Sequence, residues 1–198
     1  MTSIYEDITL IIVTYRSEKL IQKNIEILKK FPTIIVDNSN SKELEKIIFN
    51  YKNIDFIRSS INLGYGAANN LAISRATTPF ILIVNPDILI NEDSINDLFK
   101  NFLNDPENIG ILGPSLYDQK MHRRNNGTIS YLDQLNGVKV SNISNNIPSY
   151  NTCCKFLMGC CYLMRRDFFN SLGGFEKKFF MYFEDNDLCD RTLNKIKI

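Results

Sequence analysis

The sequence lacks an excess of charge of either sign and lacks any long apolar run. Its 198 residues carry a formal net charge of +1, so no overall field recruits nucleic acid or an anionic membrane. No segment reaches the roughly 20 apolar residues that cross a bilayer. The first apolar run, residues 8–13, is too short for a signal-peptide core and follows two acids. We expect a cytoplasmic protein, with at most a peripheral contact at the inner face of the cell membrane.

The five cysteines form no pattern typical of a structural zinc site. The adjacent pairs 153–154 and 160–161 are separated by five residues, which does not match a CxxC spacing. An odd count in a chain without an export signal also argues against a disulfide framework. We therefore expect buried, reduced thiols, with Cys189 included.

Strand and helix signals alternate along the first part of the chain. Repeated βα units with short links indicate an α/β fold: a doubly wound, mostly parallel sheet with helices on both faces. We interpret residues 1–198 as a single domain. The predicted strands are residues 8–14, 33–36, 54–57, 80–84 and 109–112, and the predicted helices are residues 17–29, 64–76, 94–103 and one that begins near Ser41 as its N-cap.

The later part of the chain has a different composition. Residues 117–151 are rich in Asn, Ser and Gly and contain the only histidine, so we expect a long loop region, partly mobile without ligand. An apolar stretch at 155–164 predicts one strand that runs through Gly159. A short helix at 167–172 should stop at Gly173 and Gly174.

Polar residues follow three of the predicted strands. The apolar run 80–84 stops at Asn85-Pro86-Asp87, because proline cannot donate to a strand ladder. The carboxyl ends of parallel strands share the edge where open α/β sheets bind ligands, so Thr14 and Asp37 should lie there as well. Asp87 suits a divalent cation that carries a phosphate, although Asn-Pro-Asp is also ordinary turn chemistry.

Asp37 and Tyr15 admit a functional and a structural interpretation. The Asp37 carboxylate could accept hydrogen bonds from a base or a ribose, and Tyr15 could stack on the base. The sequence Asp-Asn-Ser-Asn-Ser at 37–41 is equally typical of a turn or a helix start, so both interpretations stay open for Asp37.

Residues 62–69, Asn-Leu-Gly-Tyr-Gly-Ala-Ala-Asn, form a Gly-rich turn at the start of a predicted helix. Glycines permit close backbone approach, and a helix N-terminus favours phosphate. The turn also resembles the GxGxxG sequence of dinucleotide-binding proteins. Two facts weaken that interpretation: the third glycine position is Asn69, and the turn follows the third predicted strand.

Near the C-terminus, aromatic residues run directly into a cluster of acids, Glu184, Asp185 and Asp187. Carboxylates beside bulky apolar groups are desolvated, which raises their pKa toward values useful for proton abstraction. Acids are also favoured in the first turn of a helix, and both roles can hold at once.

In their order, these blocks resemble the family 2 nucleotide-sugar glycosyltransferases with the GT-A fold. The Asn-Pro-Asp form and the aromatic-acid block are most similar to bacterial rhamnosyltransferase-type members that build surface polysaccharides. The resemblance implies an inverting transfer of a sugar, L-rhamnose or a hexose, from a dTDP- or UDP-linked donor to a glycan or lipid-linked glycan. The matching pieces are residues 13–16, 36–39, 62–69, 85–87 and 173–188.

The resemblance also implies a role for individual residues on the donor side. Asp37 would contact the nucleobase, and Thr14 and Tyr15 would line the nucleoside site. Asn62 and Gly64 fall in the donor-contacting loop of the family.

On the reaction side, Asp87 matches the final acid of a DxD-type motif that holds Mg²⁺ or Mn²⁺ and the diphosphate. Asn85 stands where many members have Asp, which removes one charge from the metal site. Asp185 matches the catalytic base, with Glu184 beside it.

Two alternatives to an active transferase are considered. Family members usually continue with further helices that close the acceptor site, and the 198 residues do not include them. A catalytically inactive sugar-nucleotide-binding module is therefore the first alternative. A nicotinamide-dependent oxidoreductase, which would depend on the Gly-rich turn alone, is the second.

Overall fold

In the computed structural model, which describes residues 4–107, 109–124, 127–128 and 156–196, a five-stranded sheet lies at the centre of the molecule. The strands are β1 (Ile8–Thr14), β2 (Thr33–Asp37), β3 (Ile54–Arg58), β4 (Phe80–Val84), β5 (Leu116–Tyr117), β6 (Arg123–Arg124), β7 (Gly127–Thr128), β8 (Phe156–Leu157) and β9 (Cys161–Arg165). The central sheet has the order β3-β2-β1-β4-β9, and the four short strands form the pairs β5-β6 and β7-β8.

The central sheet is doubly wound, as predicted. Strands β1 to β4 pair in parallel, and β9 joins the edge of β4 in the antiparallel sense. The chain order reverses at β1, whose neighbours are β2 on one side and β4 on the other. The carboxyl ends of β1 and β2 meet in register, with Thr14 opposite Asp37. A ligand site is expected at this point of such a sheet.

Helices cover both faces of the sheet. On one face Leu10 and Ile12 of β1 pack in the same core cluster as Ile21 and Ile95. The intervening Ile11 lies in the opposite cluster, because side chains alternate across a strand. The helices are α1 (Ile4–Asp7), α2 (Glu18–Leu28), α3 (Lys42–Ile48), α4 (Tyr65–Ile73), α5 (Glu92–Asn104), α6 (Arg166–Ser171) and α7 (Glu184–Lys195).

Most of the predicted elements are confirmed, with small shifts at their ends. Ser41 is the N-cap of α3, where its hydroxyl accepts a hydrogen bond from Glu43 N at 3.2 Å. Gly173 and Gly174 follow α6 with φ angles of 84° and 74°, the left-handed conformation that ends many helices. Among the described residues, no helix is long and apolar enough to cross a membrane.

Two predictions about strands are wrong. The run 109–112 forms only one isolated bridge, Leu112 with Leu163, since glycines at 110 and 113 weaken a strand. The predicted strand at 155–164 is divided into β8 and β9 by a tight turn in which Cys160 N donates to Met158 O at 2.7 Å. The predicted loop region at 117–151 lies outside the described residues except for 117–124 and 127–128.

The cysteine prediction is confirmed where the structure describes it. Cys160, Cys161 and Cys189 are buried free thiols, and burial raises the pKa of each one. Cys153 and Cys154 lie outside the described residues.

Candidate active site

The ends of β1 and β2 bring two of the predicted site residues together. Both Thr14 and Asp37 are buried, and Thr14 Oγ1 donates to Asp37 Oδ1 at 3.3 Å. Tyr15 follows directly and is half exposed, with the Arg16 guanidinium 5.4 Å from its ring centroid. An exposed aromatic ring at the chain reversal is available to stack on a base.

Asp37 organises the turn that follows β2, residues 37–41, called the β2 turn below. Its Oδ1 accepts hydrogen bonds from Ser39 N at 3.1 Å and Ser39 Oγ at 2.6 Å. Its Oδ2 accepts from Ser41 N at 2.7 Å, and the whole residue is inaccessible to solvent. Asp37 therefore has the structural role of a turn residue, and its contact with a nucleobase stays a prediction.

The Asn85-Pro86-Asp87 loop is held from two sides. Asn85 N donates to Cys160 O at 2.9 Å, which continues the β4–β9 pairing into the loop. The side chain of Asn24 in α2 donates to Pro86 O at 3.2 Å and to Ile88 O at 3.0 Å. Sequence reasoning missed Asn24, and the available signal was a polar residue at the apolar spacing of α2. Asp87 itself is exposed to solvent.

The residues at this loop fit a cation that arrives with a diphosphate. Within the described ranges, no group of three or more His, Cys, Asp or Glu could hold a metal ion. Asn85 Oδ1 is buried and has no hydrogen-bond partner among the described residues. It lies two positions before Asp87, whose side chain is exposed. Mg²⁺ is commonly held by one or two protein oxygens together with phosphate oxygens and waters. The loop is unsuited to a metal centre made of protein ligands alone.

The Gly-rich turn packs against the C-terminal half of the chain. Gly64 N donates to Asn62 Oδ1 at 2.9 Å, and Asn62 is exposed. Gly64 has φ 79°, and a Cβ there would lie 2.2 Å from the carbonyl oxygen of Phe180. Asn38 Nδ2 donates to Gly64 O at 3.1 Å, which ties the turn to the end of β2. The close backbone approach serves protein packing, and the turn opens α4 after β3, not after β1 as in a dinucleotide-binding unit.

The predicted acids begin α7, as expected, after residues 180–183, called the aromatic segment below (Phe-Met-Tyr-Phe). Tyr182 and Phe183 have left-handed φ angles of 68° and 69°, which are costly for bulky residues and are typical of functional sites. Asp185 is partly exposed; its Oδ2 accepts from Gly159 N at 3.1 Å and its Oδ1 from Asn186 N at 2.9 Å.

Glu184 has a different environment from Asp185. It is buried, and desolvation raises the pKa of its carboxyl, with a further increase from the neighbouring Asp185 charge. Its Oε2 has no hydrogen-bond partner among the residues that the structure describes. Asp187, in contrast, forms an ion pair with Arg191 at 2.5 Å on the surface of α7. Asp185 is thus the acid of this cluster that is both oriented by backbone donors and accessible.

A second asparagine missed by sequence reasoning fixes the start of the C-terminal block. Asn70 of α4 donates to Phe175 O at 2.8 Å and accepts from Phe175 N at 2.9 Å. Such a pair of bonds mimics a strand ladder and holds the chain after Gly174 against α4.

The turn between β8 and β9 lies between the two halves of the site. Burial raises the pKa of the Cys160 thiol, and the negative charges of Asp87 and Asp185 raise it further. Cys160 O accepts from Asn85 N, and Gly159 N donates to Asp185. The structure therefore joins the Asn85-Pro86-Asp87 loop and Asp185 through two consecutive residues, Gly159 and Cys160.

A sequence profile shows the family, and curated relatives are similar to the chain over most of its length. Residues 9–173 match the sequence profile described as Glycosyl transferase family 2. A low-salt glycan biosynthesis hexosyltransferase of Haloferax volcanii is 27% identical over 94% of this chain and 62% of its own length. Rhamnosyltransferase WbbL of Escherichia coli is 28% identical over 92% of this chain and 75% of its own length.

Solved structures show the fold. A mannosyltransferase from Pyrobaculum calidifontis in complex with GDP-Man and Mn²⁺ superposes with a TM-score of 0.65 at 19% identity, over 96% of this chain and 51% of that one. S. aureus TarS 1-349 in complex with UDP-GlcNAc gives 0.61 at 18% identity, over 94% and 53%. The predicted GT-A fold is confirmed, and the chain spans about half the length of these structures. By its match over residues 9–173, the chain belongs to glycosyltransferase family 2.

Proposed function

We propose that this chain carries the donor site and the catalytic base of an inverting glycosyltransferase. It would transfer a sugar from a nucleoside-diphosphate donor to a hydroxyl group of an acceptor. The observation that carries the proposal is that two adjacent residues, Gly159 and Cys160, contact Asp185 and Asn85 respectively, so the proposed base and the proposed diphosphate site lie beside the same turn. Holding donor and acceptor in fixed positions supplies much of the acceleration of a transfer reaction.

In this mechanism Asp185 removes the proton of the acceptor hydroxyl. Each of its oxygens accepts one backbone N–H, and a carboxylate offers further lone pairs to an acceptor hydroxyl. The acceptor oxygen then attacks the anomeric carbon on the face opposite the diphosphate, which inverts the configuration. Tyr15 would stack on the base, and the buried pair of Thr14 and Asp37 would support the nucleoside site from beneath through the β2 turn. Asn62 and Gly64 would belong to the donor-contacting loop.

The leaving diphosphate would lie at the end of β4. Asp87 and the amide oxygen of Asn85 would hold a Mg²⁺ or Mn²⁺ ion there. When bound, the ion would neutralise negative charge on the departing diphosphate. Asn24 would keep the loop in position through its bonds to Pro86 and Ile88.

A dTDP-linked L-rhamnose is our first proposal for the donor, and a UDP-linked hexose is the second. The first is supported by the rhamnosyltransferase relative, which covers 92% of the chain. The second is supported by the structural similarity to TarS, which was solved with UDP-GlcNAc.

The aromatic segment supports a lipid-linked glycan as the acceptor, used at the inner face of the cell membrane. Its four side chains, Phe180, Met181, Tyr182 and Phe183, are 50–72% exposed and directly precede the acids. A contiguous exposed apolar surface next to a catalytic group marks a binding site. Aromatic faces suit both a sugar ring and an apolar tail.

The donor site is tested by thermal shift with a panel of nucleoside diphosphates and sugar donors, with and without Mg²⁺ or Mn²⁺. Binding of one nucleotide to the native state raises the melting temperature, and we expect the cation to increase that rise. Asp87→Ala should abolish the cation-dependent part. A cation-dependent rise that is unchanged in Asp87→Ala would refute the metal assignment.

The base is tested by transfer assays on Asp185→Asn. We expect kcat to fall by about 10² to 10⁴-fold while the donor still binds. Asp187→Asn is the matched control, because it removes another carboxylate from the first turn of α7 that pairs with Arg191 instead. Full turnover in Asp185→Asn would exclude Asp185 as the base. A wild-type chain that binds donor but neither hydrolyses nor transfers it would instead be a sugar-nucleotide-binding module.

A further inference from the structure

Both backbone polar groups of Gly159 are engaged by side chains from distant parts of the chain. Gly159 N donates to Asp185 Oδ2 at 3.1 Å, and Gly159 O accepts a hydrogen bond from the hydroxyl of Tyr65. Tyr65 is the first residue of α4 and Asp185 is the second residue of α7. A single residue of the turn thus links the two helices.

The turn has little room to move relative to Asp185. A Cβ on Gly159 would lie 3.1 Å from Asp185 Cβ and 3.2 Å from its Oδ2. The neighbouring Cys160 N is bound to Met158 O at 2.7 Å. The Gly159 N–H direction therefore depends on what holds this tight turn, and the Tyr65 hydroxyl donates a side-chain hydrogen bond to it.

Tyr65 is suited to act as a permanent donor. Burial raises the pKa of its hydroxyl far above the ordinary value, and the nearby charges of Glu184 and Asp185 raise it further, so the hydroxyl keeps its proton. Its backbone N–H donates to Phe180 O at 2.9 Å, and its ring meets Phe175 edge-on at 6.0 Å. The ring is fixed by these contacts independently of the hydroxyl.

We propose that Tyr65 is a positioning residue for glycosyl transfer. Its hydroxyl holds Gly159, whose N–H in turn orients the Asp185 carboxylate toward the acceptor hydroxyl. This inference rests on the proposed role of Asp185 as the base. Since small displacements of a catalytic group cost up to about 10²-fold in rate, loss of the hydroxyl should lower kcat by about tenfold and leave donor binding unchanged.

The test is a double-mutant cycle with Tyr65→Phe and Asp185→Asn, measured as kcat for transfer of a radiolabelled sugar. We expect Tyr65→Phe to lower kcat about tenfold in the wild-type background and to have no further effect on the residual rate of Asp185→Asn, because groups that act as a unit are not additive. An unchanged kcat, or the same fold loss in both backgrounds, would overturn the proposal.

The matched control is Tyr162→Phe. The Tyr162 hydroxyl is also buried and donates to a carbonyl of the same hairpin, that of Leu157. We expect a comparable loss in melting temperature and an unchanged kcat. An equal loss of kcat in Tyr162→Phe would show that Tyr65 only supports the fold of the hairpin.

A second measurement separates this proposal from the proposed function. Hydrogen exchange of the Gly159 amide, followed by NMR on the full chain, should be faster in Tyr65→Phe and in Asp185→Asn than in the wild type. If wild-type protein shows no transfer, the proposed function fails, and this measurement still decides whether Tyr65 holds the Gly159–Asp185 bond. Unchanged exchange in Tyr65→Phe refutes the positioning role.

Discussion

The β2 turn contains one acid of the candidate site, Asp37, and the aromatic segment directly precedes two others, Glu184 and Asp185. These two regions are built in opposite ways. In the β2 turn, Asp37 is inaccessible to solvent and accepts hydrogen bonds from Ser39 and Ser41. The aromatic segment is exposed and has two bulky residues in the left-handed conformation. The first region is fixed by satisfied hydrogen bonds, and the second keeps local strain and apolar surface.

In the proposed function, this difference would correspond to two tasks in a transfer reaction. A nucleotide site gains from a preorganised shell that needs no rearrangement on binding. An acceptor site that holds a large apolar substrate needs exposed surface, and strained backbone is typical of such positions. We therefore interpret the β2 turn as the preformed side and the aromatic segment as the responsive side.

The largest effect is expected where the two regions meet, at Gly64. Gly64→Ala would force a Cβ to 2.2 Å from the Phe180 carbonyl oxygen at a φ of 79° and ψ of 179°, a region populated almost only by glycine. We expect the free energy of unfolding to fall by about 3 kcal/mol and transfer to be lost. Urea denaturation and the transfer assay measure both.

Gly173→Ala is the control for Gly64→Ala. Gly173 also has a left-handed φ, 84°, but a Cβ there meets no described atom within 4 Å. Gly173→Ala should lower the free energy of unfolding only by the cost of the left-handed backbone conformation, about 1 kcal/mol. Equal losses in the two variants would mean that the contact between the β2 side and the aromatic segment contributes nothing.

The next effect is expected at Asp37. Asp37→Ala leaves two partly buried backbone N–H groups of the β2 turn without their acceptor, and hydrogen bonds to a charged group are worth about 1.5–3 kcal/mol. We expect a loss of about 2–3 kcal/mol in the free energy of unfolding by urea denaturation. Asp55→Ala, which removes an exposed ion pair with Arg75, should cost under about 1 kcal/mol. A loss at Asp37 as small as that at Asp55 would contradict the view of the β2 turn as a rigid unit.

The strand ends of the candidate site are predicted by the sequence, whereas the turn at Gly159 that contacts Asp185 is not. The strands 8–14 and 80–84 have the predicted bounds, because each is an apolar run followed by polar residues. The polar residues at the strand ends could therefore be placed at one edge. The break at Gly159 could not be predicted, since its partners Asp185 and Tyr65 lie 26 and 94 residues away in sequence. Contacts of that range leave no local pattern.

A smaller, pH-dependent effect is expected at Glu184 on the responsive side. Burial raises the pKa of Glu184 in the folded state above its ordinary value. Between these two pKa values the native state holds a proton that the unfolded chain has lost, so the free energy of unfolding falls as pH rises through this window. Glu184→Gln removes the titration and should flatten this part of the curve measured by urea denaturation at a series of pH values. The exposed Glu43→Gln is the control, and parallel curves for wild type and Glu184→Gln would contradict the assignment.

The smallest effect is expected at Phe183, and its sign distinguishes strain from packing. Phe183→Gly removes the strain of a bulky residue in the left-handed conformation, which stabilises the fold by about 1–2 kcal/mol. Glycine loses more conformational entropy on folding, which destabilises the fold by about 0.5–1 kcal/mol. The Phe183 side chain is 67% exposed, so its removal loses little buried apolar surface. We therefore expect the free energy of unfolding to rise by about 0.5 kcal/mol. We expect acceptor binding to weaken at the same time. Phe180→Gly is the matched control, since Phe180 is similarly exposed but is not among the residues with positive φ, and it should destabilise the fold. Loss of stability in both variants would show that the aromatic segment is held by packing, as the β2 turn is held by hydrogen bonds, and that it stores no strain for an acceptor to use.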